Sequence, residues 1–253
     1  MSRTKTSPRK TSPATPALRA SAVRAALAAL GDPARAKHSA GFFKTGPGEY
    51  AEGDVFLGIP VPAVRTVVRR FRGLPRPEIE RLLRSRLHEE RLTALLLLVD
   101  AYERASEGDK APLCRFYVDN LRWVNNWDLV DSSAHQILGD HLRKRAAHDR
   151  KTLGRLAGSR DLWERRVAVV ATFAFILGGD PGPTFDIVRQ VMADEHDLIH
   201  KAAGWMLREV GKRVSEKALR AFLEEHATGL PRTALRYAIE RFPPAERKAW
   251  LAR

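Results

Sequence analysis

From Ala17 to the C-terminus, apolar residues return with the 3.6-residue spacing of a helix, and strand-like alternation is scarce. This regularity predicts helices over 18–30, 33–42, 62–72, 76–86, 88–106, 110–121, 127–138, 148–157, 161–177, 183–193, 197–213, 215–227, 231–241 and 244–252. Pro33, Pro77, Pro112, Pro183 and Pro231 fall near predicted helix starts, where a missing N–H costs little. The exception is 44–59, KTGPGEYAEGDVFLGI, a Gly- and Pro-rich loop with two aromatics. The helices also repeat. Aligning Arg91, Asp128, Arg166, Lys201 and Arg232 leaves gaps of 37, 38, 35 and 31 residues. Such a drifting period suits two-helix units, so the expected fold is all-α: a right-handed solenoid of HEAT-like repeats with a concave basic groove. Residues 17–253 are expected to form one domain. Residues 1–16, rich in Ser, Thr and Pro among basic residues, are expected to be a disordered tail.

Charge narrows the partners. The chain carries 44 Lys and Arg against 30 Asp and Glu, a formal +14. Six basic residues precede the first acid, Asp32, which leaves +8 for the remainder. The folded part is therefore basic in its own right, and a polyanion is the expected partner: nucleic acid first, an anionic membrane surface second. The apolar runs Leu92–Val99 and Val167–Gly179 are too short to span a bilayer. The N-terminus lacks the apolar stretch of a secretory signal; its acid-free composition loosely resembles a transit peptide, but a basic arm is the simpler reading. A cytoplasmic, nucleoid-associated monomer is expected, with no membrane and no obligate protein partner. The single cysteine, Cys114, excludes an internal disulfide and reads as a small buried hydrophobe.

The stretch NNWDLVDS places Trp127 and Asp131 one helical turn apart, on a common face. Two readings stand. Asp131 pairs with Arg166 of the next repeat while Trp127 fills the core, or both face an open groove. Spacing alone favours the first. In the repeat alignment Trp127, Arg166, Lys201 and Arg232 form one stripe, with Asp131, Trp205 and Arg236 a turn further on. Gly204, before Trp205, leaves room for a neighbouring helix or a ligand. His196-Asp197-Leu198-Ile199-His200 superficially matches a zinc-protease pattern. Asp197, however, reads as the N-cap of a helix starting at Leu198, so the two imidazoles do not share a face. No phosphate-binding glycine motif and no metal or cofactor site is expected.

The segments WDLVDSSAHQILG, WERRVAVVATFAF, HKAAGWMLREVGK and PRTALRYAIERF, in this order, resemble blocks of the DNA alkylation repair family, the AlkD-like DNA glycosylases. The resemblance runs from about Phe42 to Phe242. It implies a helical solenoid that wraps duplex DNA and removes N3- or N7-alkylated purines without a metal or cofactor, and without flipping the base into a pocket. By motif position it implies that Asp131 is the catalytic carboxylate. It implies that Trp127 and Trp205 cradle the deoxyribose and that Arg166 holds the DNA backbone, with Arg208 and Lys212 as further basic contacts. Lys201, Arg232 and Arg236 are added as DNA-binding residues from the basic stripe. The 44–54 loop and the basic tail are extra to the best-known members. Some relatives lack the acid and bind DNA structure only, so the alternative is a non-catalytic binder of distorted or branched DNA. A protein-interaction scaffold is the third class, disfavoured by the charge.

Overall fold

A computed structural model describes residues 18–145 and 151–253. The tail 1–16 and the predicted start of the 148–157 helix lie outside them. Among the described residues the secondary structure is helical, with one isolated bridge, Val55 to Leu87, and no strand. The helices are α1 (Ala20–Ala28), α2 (Pro33–Phe42), α3 (Val61–Arg70), α4 (Arg76–Leu83), α5 (His88–Arg104), α6 (Glu107–Asp119), α7 (Trp127–Asp131) and α8 (Asp140–Arg143). They continue with α9 (Lys151–Ala157), α10 (Leu162–Ala171), α11 (Phe173–Leu177), α12 (Gly182–Gln190), α13 (Asp197–Arg213), α14 (Glu216–His226), α15 (Arg232–Ala238) and α16 (Pro244–Ala252).

Successive helices make the fold. α5, α7, α10, α13 and α15 each pack on the next in that order, while α4 lies against α5, α9 against α10 and α14 against α13. The apolar run of α5 is buried almost throughout, as are Val167–Ala171 of α10. One contiguous core links all these elements from Ala20 to Trp250. No helix among the described residues is long and apolar enough to cross a membrane.

Three sequence expectations change. The helix expected over 127–138 stops at Asp131, passes through a single wide turn of π type at His135–Gly139, and resumes as α8. Gly139 explains the close packing there, since a Cβ would meet the Ala171 carbonyl oxygen at 2.2 Å. The helix over 161–177 breaks at Thr172, whose hydroxyl donates to the Val169 carbonyl at 2.7 Å. That local bond competes with the helical ladder. Pro112 lies inside α6 rather than at its start, because the helix begins earlier: the Ser106 hydroxyl accepts from the Asp109 N–H.

Candidate functional site

Helix α7 is one and a half turns long. Its N-cap, Asn126, is fully buried; its side-chain oxygen accepts from the Trp127 N–H at 2.8 Å. Leu129 and Val130 anchor the helix in the core, while Trp127, packed against that core, and Asp131 stay half-buried. Asp131 keeps 22% of its side-chain surface exposed, and Arg166 meets it as a fork. Arg166 Nε donates to Oδ1 at 3.0 Å and Nη2 to Oδ2 at 2.8 Å. The remaining arm, Nη1, donates to the Leu198 carbonyl at 2.6 Å. One guanidinium thus ties α7, α10 and α13 together. Burial raises the Asp131 carboxyl above its ordinary value, and Arg166 works against that rise.

Both sequence readings of Asp131 therefore contain part of the geometry: it is paired with Arg166, yet open to solvent. Arg166, expected at a DNA backbone, is buried, with three nitrogens engaged inside the protein.

Trp127 is backed by aromatic rings. Phe43 stacks on it with centroids 5.0 Å apart and planes at 18°, and Phe42 meets it edge-on at 6.0 Å. Phe43 stacks in turn on Phe56, and Phe56 on the His88 imidazole at 4.5 Å. Behind the rings lies a closed polar group. His88, 2% exposed, places Nε2 2.8 Å from Asp128 Oδ2 and Nδ1 3.3 Å from Asp54 Oδ2. Arg91 bridges to Asp54 at 2.7 Å, and the Asn126 amide donates to the same carboxylate at 3.3 Å. Burial opposes charge on His88, but its bonds to Asp128 and Asp54 outweigh that and raise its pKa to about 9. Burial likewise opposes charge on Asp54, and His88, Arg91 and Asn126 together hold it below the usual carboxylate range. Two basic and two acidic side chains face one another in this set.

The glycine-rich loop ends on another carboxylate. Buried Glu89 accepts from the backbone N–H groups of Leu57, Gly58 and Ile59 at 2.8, 2.8 and 3.1 Å. Gly58 has φ +78° and no space for a Cβ, which would sit 2.2 Å from the Asp32 carbonyl oxygen. Inside the loop, Tyr50 reaches the edge of Trp163 with ring centroids 5.9 Å apart. Burial raises its phenol above the ordinary value. Sequence reasoning did not single out Phe43, Asp54, His88 or Tyr50, and used Asp128 only as a repeat position. Their partners are mostly tens of residues away, and the only local signal was a pair of aromatics within a polar loop.

The other expected residues divide. Lys201 pairs with Asp197 at 2.8 Å. Trp205, half-buried on α13, makes its ring contact with Phe173 at 6.2 Å rather than with Trp127. Gly204 admits a helix: a Cβ there would meet the Ala234 carbonyl oxygen at 2.3 Å. Arg208 pairs with Glu240 and lies 3.4 Å from Glu209. Arg232 donates to the Leu251 carbonyl at 2.5 Å. Lys212 and Arg236 are exposed and form no ion pair among the described residues. In the HDLIH stretch the N-cap is His196, not Asp197: its Nδ1 accepts from the Leu198 N–H, and α13 begins at Asp197. His200 bonds to the Asp194 carbonyl. Each imidazole is thus occupied by local backbone.

A model of the DNA alkylation repair enzyme family matches residues 23–242 of the chain. A solved structure described as a predicted DNA alkylation repair enzyme from Enterococcus faecalis superposes with a TM-score of 0.64 at 19% identity. The match covers 85% of this chain and 97% of that one, and at this identity it speaks for the fold. No curated protein matches the chain.

Proposed function

The chain belongs to the DNA alkylation repair enzyme family, and from that premise we propose that it is a monofunctional glycosylase. It hydrolyses the N-glycosidic bond of N3- or N7-alkylated purines in duplex DNA without drawing the base into a pocket. The succession α5, α7, α10, α13, α15, with α4 against α5, α9 against α10 and α14 against α13, supports the HEAT-like solenoid reading. The net charge of +14 supports a groove for a duplex. The single observation that carries the proposal is Asp131: a carboxylate gripped by a buried arginine fork, partly open to solvent, one turn from a half-buried tryptophan.

The chemistry follows from the substrate. A purine alkylated at N3 or N7 is cationic and leaves as a neutral base, so it needs little help from a general acid. As the C–N bond breaks, positive charge grows on the sugar. The ionised Asp131 carboxylate stabilises that charge and orients the attacking water. Trp127 and Trp205 add cation–π attraction to the same sugar, about 0.5–2 kcal/mol each. Arg166 acts through Asp131: it fixes the carboxylate plane and keeps it ionised, and is a positioning residue rather than a phosphate contact. Lys201, Arg208, Lys212, Arg232 and Arg236 supply the backbone attraction in this reading. The protein then works as a cytoplasmic monomer on double-stranded DNA, with no cofactor.

The fork itself favours a second reading, since a bidentate pair between α7 and α10 is also what a purely structural staple looks like. On that reading the protein binds distorted or branched DNA without cutting the base. Release of 7-methylguanine from methylated duplex separates the two. Asp131→Asn should lower release about 100-fold or more while duplex binding persists or strengthens. Equal release by wild type and variant would remove Asp131 from the chemistry.

A further inference from the structure

A recess of about 460 Å³ lies past the π turn, between α6, α8 and α9, and shares no lining residue with Trp127, Asp131 or Trp205. Three helical faces form it. From α6 come Ala111, Cys114, Arg115 and Val118, spaced i, i+3, i+4 and i+7 along one side. Leu138, Leu142 and Arg145 follow the same spacing along α8. Lys151 and Arg155 of α9 stand one turn apart. The apolar side chains make the floor: Cys114, Leu138 and Leu142 are buried. The cations make the rim: Arg115, Arg145, Lys151 and Arg155 are all exposed. His141 and Thr152 complete the lining, and no described acidic residue belongs to it.

These four cations differ from others on the same surface. Arg72, Arg81, Arg84, Arg104 and Arg189 are likewise exposed, and each holds a carboxylate. The side chains of Arg115, Arg145, Lys151 and Arg155 form no ion pair and no hydrogen bond among the described residues. Like charges gathered around one recess repel one another, and no acid of its lining offsets them. A bound anion would. We propose that the recess binds an organic phosphate of nucleotide size, its phosphates on the cationic rim and its organic part on the apolar floor. A guanidinium fork donates two parallel N–H bonds to phosphate oxygens, so three arginines and a lysine match a ligand with more than one phosphate. The volume falls within the range of small-molecule sites, about 300–1,000 Å³. A closed recess with an apolar floor suits a compact ligand; a duplex is held instead by cations that track its backbone. The inference does not depend on the glycosylase reading, since it concerns a different site and a different ligand.

Calorimetric titration of the full chain with ADP tests the site, with inorganic pyrophosphate and adenosine as its two halves. ADP should bind, pyrophosphate about tenfold more weakly, and adenosine not measurably. Arg115→Gln and Arg155→Gln should each weaken ADP about tenfold, and the double variant should lose it. Because these changes relieve repulsion between like charges, the unliganded double variant should melt no lower than wild type. The rise in melting temperature that ADP gives the wild type should vanish in it. Arg104→Gln removes an exposed arginine outside the recess and should leave ADP binding unchanged. A saturating short duplex should not displace ADP. Absence of ADP binding by wild type, displacement by duplex, or undiminished binding by the Arg115→Gln/Arg155→Gln variant would overturn the proposal. Pyrophosphate binding as tightly as ADP would leave the floor without a role and overturn the organic part of the assignment.

Discussion

The two tryptophans implied as the walls of the site are held by different physics. Trp127 rests on a column of rings, and behind the column His88, Arg91, Asp54 and Asp128 form a buried set of four charges. Trp205 rests on Phe173, whose ring also carries the Arg213 guanidinium at 5.2 Å, and its helix is pressed onto α15 through Gly204. The first wall is electrostatic and depends on protonation. The second is steric and does not. A substitution or a change of pH should therefore act on one wall and spare the other.

Arg166→Ala should have the largest effect on the folded state. It removes one member of a nearly buried pair, leaving Asp131 charged and alone, at a cost of about 3–5 kcal/mol. Residual exposure of the carboxylate puts the loss toward the lower end. Arg166→Lys should recover little, since an ammonium cannot reproduce the fork to Asp131 while also reaching Leu198. Denaturant midpoints for wild type and both variants check this. A full rescue by lysine would mean that charge alone, not bidentate geometry, joins α7 to α10 and α13.

The pH dependence of the first wall comes next in size. His88 has a folded pKa of about 9 against an ordinary 6.5. A raised folded pKa means stability fully present below pH 6.5 and lost as pH rises through 9. The whole change amounts to about 3 kcal/mol across that window. Melting temperatures recorded from pH 6.5 to 9.5 should fall, and His88→Gln should flatten the slope while starting lower. A wild-type curve that is level over this range would show His88 neutral in the fold, and the contrast between the walls would collapse.

How much of this was legible in the sequence follows the same division. The helices and their order were readable because periodicity is local: α2, α13 and α16 match the expected spans to the residue. The pairing of Asp131 with Arg166 is also one of the two readings the sequence offers, Asp131 lying one turn beyond the aligned position. The four-charge set was not readable, because His88 finds Asp54 and Asp128 across 34 and 40 residues, outside the repeat register. Nor was the break after Asp131, where the chain widens into a π turn that ends at the close approach of Gly139 to Ala171. The N-cap at His196 escaped because an aspartate one position later is the commoner cap. Tertiary contact, not propensity, decided each of these.

The smallest expected effect probes the second wall directly. Gly204→Ala adds one methyl group in the middle of α13, where alanine's helix propensity favours it over glycine by about 1 kcal/mol. The space is against it. The new carbon would sit 2.3 Å from the Ala234 carbonyl oxygen and 2.5 Å from Tyr237 Cβ, neither of which can rotate away. Relief requires α13 and α15 to part along their length, and overpacking of this kind costs about 1–3 kcal/mol. The net change should be a destabilisation, because a backbone clash outweighs a propensity gain that needs the same backbone undisturbed. None of the atoms pressed by the methyl group ionises, so the loss should be equal at pH 6.5 and 9. A loss that grows with pH would tie Gly204 to the His88 set and make the two walls one cooperative unit. A gain in stability would mean that α15 yields freely, leaving Trp205 on a helix that can shift.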